Sequence, residues 1–207
     1  MGTRIVGGKL PSCTYQTTAV QNATAASFTF SAVAIGAAGS RRYVVVAVLQ
    51  AGATVTGVTI GGVTASNATG SAFDPTFYIA LVPTGTTANI VVTQSASVAT
   101  TMTISVWTVS DIRSATPVAA STSTASPAVL DLTVAARGVV VALAYPGAAS
   151  VTFTWTGATS DFTQTSTSSN MPRNGAHAVA VGAGAPRTLR CSYSTASSPR
   201  AAAISLR

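Results

Sequence analysis

The stretch Tyr43-Val-Val-Val-Ala-Val-Leu49 decides the fold, because Val139-Val-Val-Ala-Leu-Ala-Tyr145 repeats its character in the second half of the chain. Each run is apolar on both faces of a strand, which is typical of a strand covered by other layers on both sides. The motifs that follow each run are also shared: Val58-Thr-Ile-Gly61 and Thr103-Ile-Ser-Val-Trp107 in the first half, Val151-Thr-Phe-Thr-Trp-Thr-Gly157 and Ala203-Ile-Ser-Leu206 in the second. The chain therefore contains an internal repeat.

The composition favours strands over helices. Only 7% of the 207 residues are charged, and threonine, serine, valine, alanine and glycine dominate. Threonine and valine have stiff, branched Cβ atoms that suit a pleated sheet. We predict an all-β protein, an antiparallel, jelly-roll-like β-sandwich of about 12 strands in two six-stranded pseudo-repeats. Two small sandwiches side by side are the alternative; a single sandwich with interleaved halves covers both apolar runs.

Composition shifts along the chain predict its organisation. Residues 1–26 lack a steady period and are expected to form an extended N-terminal arm, followed by one sandwich domain over 27–207. The pseudo-repeats span 28–113 and 128–207, and a Ser/Thr/Pro-rich hinge at 114–127 joins them. The second repeat alone has a long polar stretch at 157–175, and polar loops of this length are usually functional or disordered.

The N-terminus and the apolar runs bear on localisation. Met1 to Lys9 has no continuous apolar core of the kind found in signal peptides, so we expect synthesis in a host cytoplasm, followed by retention there or release by lysis, and localisation in a virion. The apolar runs are much shorter than the about 20 residues of a spanning helix, and no membrane insertion is expected.

The net charge of +7 is unevenly distributed. No acid follows Asp161, whereas five arginines do: Arg173, Arg187, Arg190, Arg200 and Arg207. The last four define a candidate basic patch. Such a skew suits an acidic partner, although sparse arginines also keep a poorly charged protein soluble. Tyr193 is the one aromatic candidate for stacking on bases, and we expect it to pack internally, so nucleic-acid binding is not predicted.

Two cysteines, Cys13 and Cys191, lie too far apart in sequence to form a metal motif. They allow two interpretations. Both can be buried thiols, or they can form a disulfide that fastens the N-terminal arm to a late strand. A disulfide would require an oxidising destination outside the cell.

The chain offers few groups for catalysis. His177 is the single histidine, no Gly-x-Ser-x-Gly elbow is present, and no glycine-rich phosphate loop opens a helix. We therefore predict a non-enzymatic protein with no cofactor and no zinc site. A calcium site anchored by Asp161 or Asp111 is the remaining metal alternative.

The order of motifs resembles a two-repeat jelly-roll-type β-sandwich domain of tailed-phage virion proteins and bacterial surface proteins. The resemblance covers about residues 28–207 and rests on the following segments: Val55–Gly62, Phe77–Pro83, Gly85-Thr86, Asn89–Thr93, Thr116-Pro117 and Ala201–Leu206. It implies the fold and a place in a virion, and it brings no catalytic motif.

These observations predict a structural virion protein, as capsid decoration or head fibre and next as a tail-associated protein, that contacts other virion proteins. The expected contact residues are Arg4, Lys9 and Tyr15 in an attachment arm, and Asp161, Phe162 and Arg173 in an exposed loop. Poorly charged strands at 88–94 and 201–207 are expected to be open edges, which favours a homo-oligomer. The alternative is a secreted or surface carbohydrate-binding module that binds a cell-surface glycan through Trp107, Tyr15 or Phe162.

Overall fold

The computed structural model describes residues 9–50, 52–69, 75–148, 151–164, 172–180 and 185–207. These residues form fifteen strands, and every strand pairing is antiparallel. The strands are β1 (Ser12–Ala34), β2 (Arg42–Gln50), β3 (Val55–Ile60), β4 (Val63–Thr64), β5 (Ser66–Asn67), β6 (Thr76–Leu81), β7 (Thr87–Ser110), β8 (Ala119–Ser123), β9 (Ala128–Val134), β10 (Val139–Tyr145), β11 (Phe153–Thr156), β12 (Thr159–Gln164), β13 (Arg173–Val179), β14 (Ala185–Tyr193) and β15 (Arg200–Leu206). The all-β, antiparallel class is confirmed. The described residues include no helix that could serve as a membrane span.

The repeat is visible in the strand pairings. The first half is one sheet in the order β4-β3-β7-β2-β6-β5, with β1 beside β7. The second half has a five-stranded sheet, β12-β13-β10-β15-β8, and a three-stranded sheet, β11-β14-β9. The pairs β2–β6, β2–β7, β3–β7 and β5–β6 recur as β10–β13, β10–β15, β11–β14 and β12–β13. The long strand β1 corresponds to β8 and β9, which follow one another in the chain. The long strand β7 corresponds in the same way to β14 and β15.

Three apolar clusters form the core, and the two apolar runs lie between them. Alternate residues of β2 face the core of the first half, and the others face a shared layer that we call the seam. Likewise, β10 faces the seam on one side and the core of the second half on the other. The seam contains Val45, Phe77 and Trp107 from the first half and Val141, Leu143 and Ile204 from the second. The prediction that both runs are covered on both faces is confirmed.

The expected interleaving of the halves is wrong. Among the described residues, no strand of the first half is hydrogen-bonded to a strand of the second half. Each half closes its own core, and the halves pack back to back through the seam. Each run is covered on one face by its own half and on the other by the neighbouring half, without strands exchanged between the halves.

Three further predictions change, on the arm, the hinge and the open sheet edges. Residues 12–26 belong to β1 and pair with β7 from Ser12 onward, so no extended arm precedes the sandwich there. Part of the 114–127 hinge is β8, which pairs with β15. The segments 88–94 and 201–207 are not open edges, because β7 has partners on both sides there and β15 lies between β10 and β8. The expectation of a homo-oligomer loses that basis.

A buried arginine fastens the loops of the first half. Arg42, at the start of β2, is 1% exposed. Its guanidinium donates hydrogen bonds to the carbonyl oxygens of Val82 (2.7 Å), Gly36 (2.7 Å), Gly85 (2.7 Å) and Thr84 (2.6 Å). Burial lowers the pKa of Arg42, and the four acceptors compensate for the desolvation of its charge.

Candidate functional site

Asp161 and His177, both in the second half, form an acid–histidine pair at the seam. Asp161 is the extra residue of a bulge in β12, where the register with β13 shifts between Ser160 and Phe162. His177 Nδ1 lies 2.6 Å from Asp161 Oδ1, and Trp107 Nε1 donates to Asp161 Oδ2 at 2.7 Å. The side chain of Asp161 is only 7% exposed. Because Trp107 belongs to the first half, this carboxylate connects the two halves.

Three aromatic rings surround that contact. Tyr15 stacks on Phe162 with ring centroids 4.4 Å apart, and it meets Trp107 edge-on at 5.8 Å. Gly175 allows this approach, since a Cβ there would lie 2.3 Å from Phe162 Cε1 and 2.6 Å from Trp107 Cζ2. The prediction that Asp161 and Phe162 form an exposed contact loop is therefore wrong: they lie in β12 and pack internally. Trp107 is fully buried and offers no ring to a glycan.

Both cysteines are free and buried, which contradicts the disulfide and confirms two buried thiols. Cys13 belongs to the seam, whereas Cys191 belongs to the core of the second half. Burial raises the pKa of the Cys13 thiol, and the negative charge of Asp161 adds to the effect. Burial also raises the pKa of Cys191 to about 12. Neither thiol is therefore a reactive thiolate near pH 7.

A cavity of about 550 Å³ opens between the halves. Its walls come from the middle parts of β1 and β7, the end of β2, the end of β10 and the starts of β13 and β15. The larger polar and aromatic side chains of its described lining include Asn22, Thr100, Thr101, Tyr145, Arg173 and Arg200. The described lining contains two arginines and no acid.

Arg173 is the most unusual side chain of this cavity. It is 2% exposed, and its Nε has no hydrogen-bond partner in the described part of the chain. Desolvation lowers its pKa to about 10, although the nearby Tyr145 and Tyr15 act in the opposite direction. The side chain is still charged at pH 7. The prediction that Arg173 is an exposed contact residue is wrong, since it is the first residue of β13 and is buried.

The other predicted basic residues do not form one patch. Arg200 and Arg207 lie at opposite ends of the β15 segment, and Arg187 and Arg190 lie on β14 in a different sheet. A different basic cluster surrounds a cavity of about 160 Å³ at the other end of the seam. It consists of Lys9, Arg41, Arg113, Arg137 and Arg207 around a single acid, Asp111. We call it the basic end.

Two residues of the predicted attachment arm have internal contacts. Lys9 Nζ lies 3.2 Å from Asp111 Oδ2, but the side chain of Lys9 is 80% exposed. Tyr15 is held in the aromatic group of the seam. Arg4 lies outside the described residues.

The two candidate calcium anchors are occupied by protein groups. Asp161 is bound by Trp107 and His177, and Asp111 is paired with Lys9. The described residues contain no group of three or more histidine, cysteine or acidic side chains placed to hold a metal ion.

Sequence reasoning missed the cavity because its walls come from segments far apart in the chain. Asn22 and Thr101 share a hydrogen bond of 2.6 Å across β1 and β7. Tyr145 follows the second apolar run, and nothing in its neighbours in sequence marks it as a wall residue. No family model, curated protein or solved structure matches the chain.

Proposed function

We propose that the chain is a structural virion protein of a tailed phage or phage-like particle, acting through protein–protein contacts. Capsid decoration or a head fibre is the first position to test, and a tail-associated position is the next. The family resemblance supports the virion setting, and the basic end supports docking. Five cations around one carboxylate at one end of the seam suit an acidic face on a neighbouring subunit.

The role of the acid–histidine pair supports a non-enzymatic function. Both oxygens of Asp161 are engaged, one by Trp107 of the first half and one by His177. The pair thus stabilises the contact between the halves. A charge-poor block of two sandwiches is suited to presenting surfaces to neighbouring subunits.

Quantitative mass spectrometry of purified particles tests this proposal. We expect the protein in the particles, at a copy number comparable to that of the capsid subunit for decoration and much lower for a tail position. The double variant Arg113→Glu/Arg207→Glu should reduce its occupancy, because it reverses charge at the basic end. Arg190→Glu, at an exposed position of β14, is the matched control. Absence of the wild-type protein from particles would contradict the proposal.

The cavity favours a second candidate, a carbohydrate-binding module. The binding residues differ from those that the sequence indicated, since Trp107, Tyr15 and Phe162 pack on one another. The cavity instead provides a concave site lined by hydroxyl, amide and aromatic groups. A glycan array tests it, and an array without any signal would count against it.

A further inference from the structure

We infer that the cavity between the halves binds an acidic sugar, a sugar residue bearing a carboxylate or phosphate group, whose anionic group pairs with the guanidinium of Arg173. This inference rests on the second proposed function, carbohydrate binding, and names its substrate class. It does not depend on a place in a virion.

The first step is the charge of Arg173. A buried cation is costly unless it is paired and hydrogen-bonded. Neither ion pair of the described residues includes Arg173: one joins Lys9 to Asp111 and the other joins His177 to Asp161. The tyrosines that face it, Tyr145 and Tyr15, are phenols, which are neutral near pH 7. Among the described residues the guanidinium therefore has no ionic partner, and it lies beside an open cavity.

The second step is the shape of the donor. A guanidinium presents its N–H groups as a planar fork that matches a carboxylate or a phosphate. Arg200 adds a second, exposed cation to the same cavity, and no acid of the described lining competes with the ligand. Two like charges at one opening also attract an anion from solution.

The third step is the rest of the wall. The cavity is in the size range of small-molecule sites, so a small inorganic anion would fill only part of it. Asn22, Thr100, Thr101 and Ser198 provide amide and hydroxyl groups, and Leu49 and Tyr145 provide apolar surface. Hydroxyl groups on one side and an apolar face on the other are what a sugar ring presents. An acidic sugar uses both parts of the cavity.

Isothermal titration calorimetry on the full chain tests the inference. The probes are glucuronate and N-acetylneuraminate for a carboxylate, glucose 6-phosphate for a phosphate ester, glucose for a neutral sugar, and inorganic phosphate for a bare anion. We expect at least one acidic sugar to bind about thirtyfold or more tightly than glucose, because a buried charged partner is worth that much. Which acidic sugar binds identifies the anionic group. Binding of inorganic phosphate as tightly as every acidic sugar would overturn the assignment to sugars.

Two variants test the role of Arg173. Arg173→Met keeps the length of the side chain and removes the charge, and it should weaken binding of the acidic sugar by about thirtyfold or more. Arg173→Lys keeps the charge, loses the fork and should give an intermediate loss. Arg190→Met, on β14 away from the cavity, should bind as the wild type does. Unchanged binding by a folded Arg173→Met protein would overturn the inference, and Arg173→Lys decides the case if Arg173→Met does not fold.

The outcomes distinguish this inference from the function on which it rests. If neutral sugars bind and Arg173→Met has no effect, carbohydrate binding stands and the acidic class is wrong. If neither the calorimetric probes nor a glycan array gives binding, both are wrong, and the virion proposal is unaffected.

Discussion

Arg42 in the first half and Arg173 in the second are both buried arginines, but the described residues give Arg42 four acceptors and leave Arg173 Nε without one. Arg42 donates to four backbone carbonyls that belong to two loops. Arg173 has an Nε without a partner among the described residues and lies at a cavity. Burial lowers the pKa of both.

The difference separates two uses of a buried charge. A guanidinium surrounded by carbonyl oxygens stabilises the loops that supply them, and removing it leaves those oxygens without their donor. A buried guanidinium with an unpartnered N–H group costs stability, and a bound anion would offset that cost.

Arg42→Met should give the largest loss of stability. It leaves four carbonyl oxygens without their donor, one in a buried and three in part-buried contacts, and we expect the free energy of unfolding to fall by about 3–5 kcal/mol. Urea unfolding followed by tryptophan fluorescence measures the change. Arg41→Met is the matched control: Arg41 is exposed and donates one hydrogen bond, to the Ile112 carbonyl, so its loss should be below about 1.5 kcal/mol. Equal losses in the two variants would contradict a fastening role for Arg42.

Gly175→Ala should give the second-largest loss of stability. The substitution tests the packing two residues from Arg173. The new methyl group would meet Phe162 and Trp107 well inside contact distance. We expect a loss of about 1–3 kcal/mol from overpacking. Gly57→Ala, in β3, is the control: no atom lies within 4 Å of the new Cβ. A Gly175→Ala protein as stable as the control would show that the seam tolerates expansion.

Anion binding at Arg173 should depend on pH. Its pKa is lowered to about 10, so the free protein carries the charge at pH 8 and loses it above pH 10. Binding needs the protonated form, and affinity for the acidic sugar should fall by about fivefold from pH 10 to 11 and by about tenfold from pH 8 to 11. Calorimetry at pH 8, 10 and 11 measures this. Affinity that stays constant over that range would contradict pairing of the ligand with Arg173.

The two cysteine thiols should show the smallest effect, namely no reaction in the native protein, because both are buried. We expect no reaction of the native protein with a thiol reagent at pH 8, and two thiols per chain after unfolding in urea without reductant. The number of thiols is measured by absorbance. Zero thiols in the unfolded protein would demonstrate the disulfide that the structure does not have.

The sequence predicted the strands whose signal is local. The runs at 43–49 and 139–145 are apolar throughout, and burial on both faces follows from that pattern. The pattern does not say which sheet supplies the cover, and for this reason interleaving was preferred to side-by-side packing of the halves. Residues 12–26 were missed for another reason. Few of them are fully buried, so β1 has no clear two-residue period there and is held by its partner β7.

The candidate site was predictable only in part. Arg173 was selected from a polar stretch, but a polar stretch predicts exposure, and its burial results from β13 pairing with β10 and β12. Asp161 was selected as a loop acid, yet the bulge in β12 places it against Trp107 from the other half. Such contacts depend on how distant segments meet, which neither composition nor periodicity records.

Urea unfolding of Arg173→Met without ligand, beside the wild type and Arg42→Met, tests the central claim most directly. We expect the urea midpoint of Arg173→Met to equal or exceed that of the wild type, because a costly unsatisfied charge is removed. The urea midpoint of Arg42→Met should fall. A fall for Arg173→Met as large as that for Arg42→Met would contradict the account, since it would show that the fold itself uses Arg173.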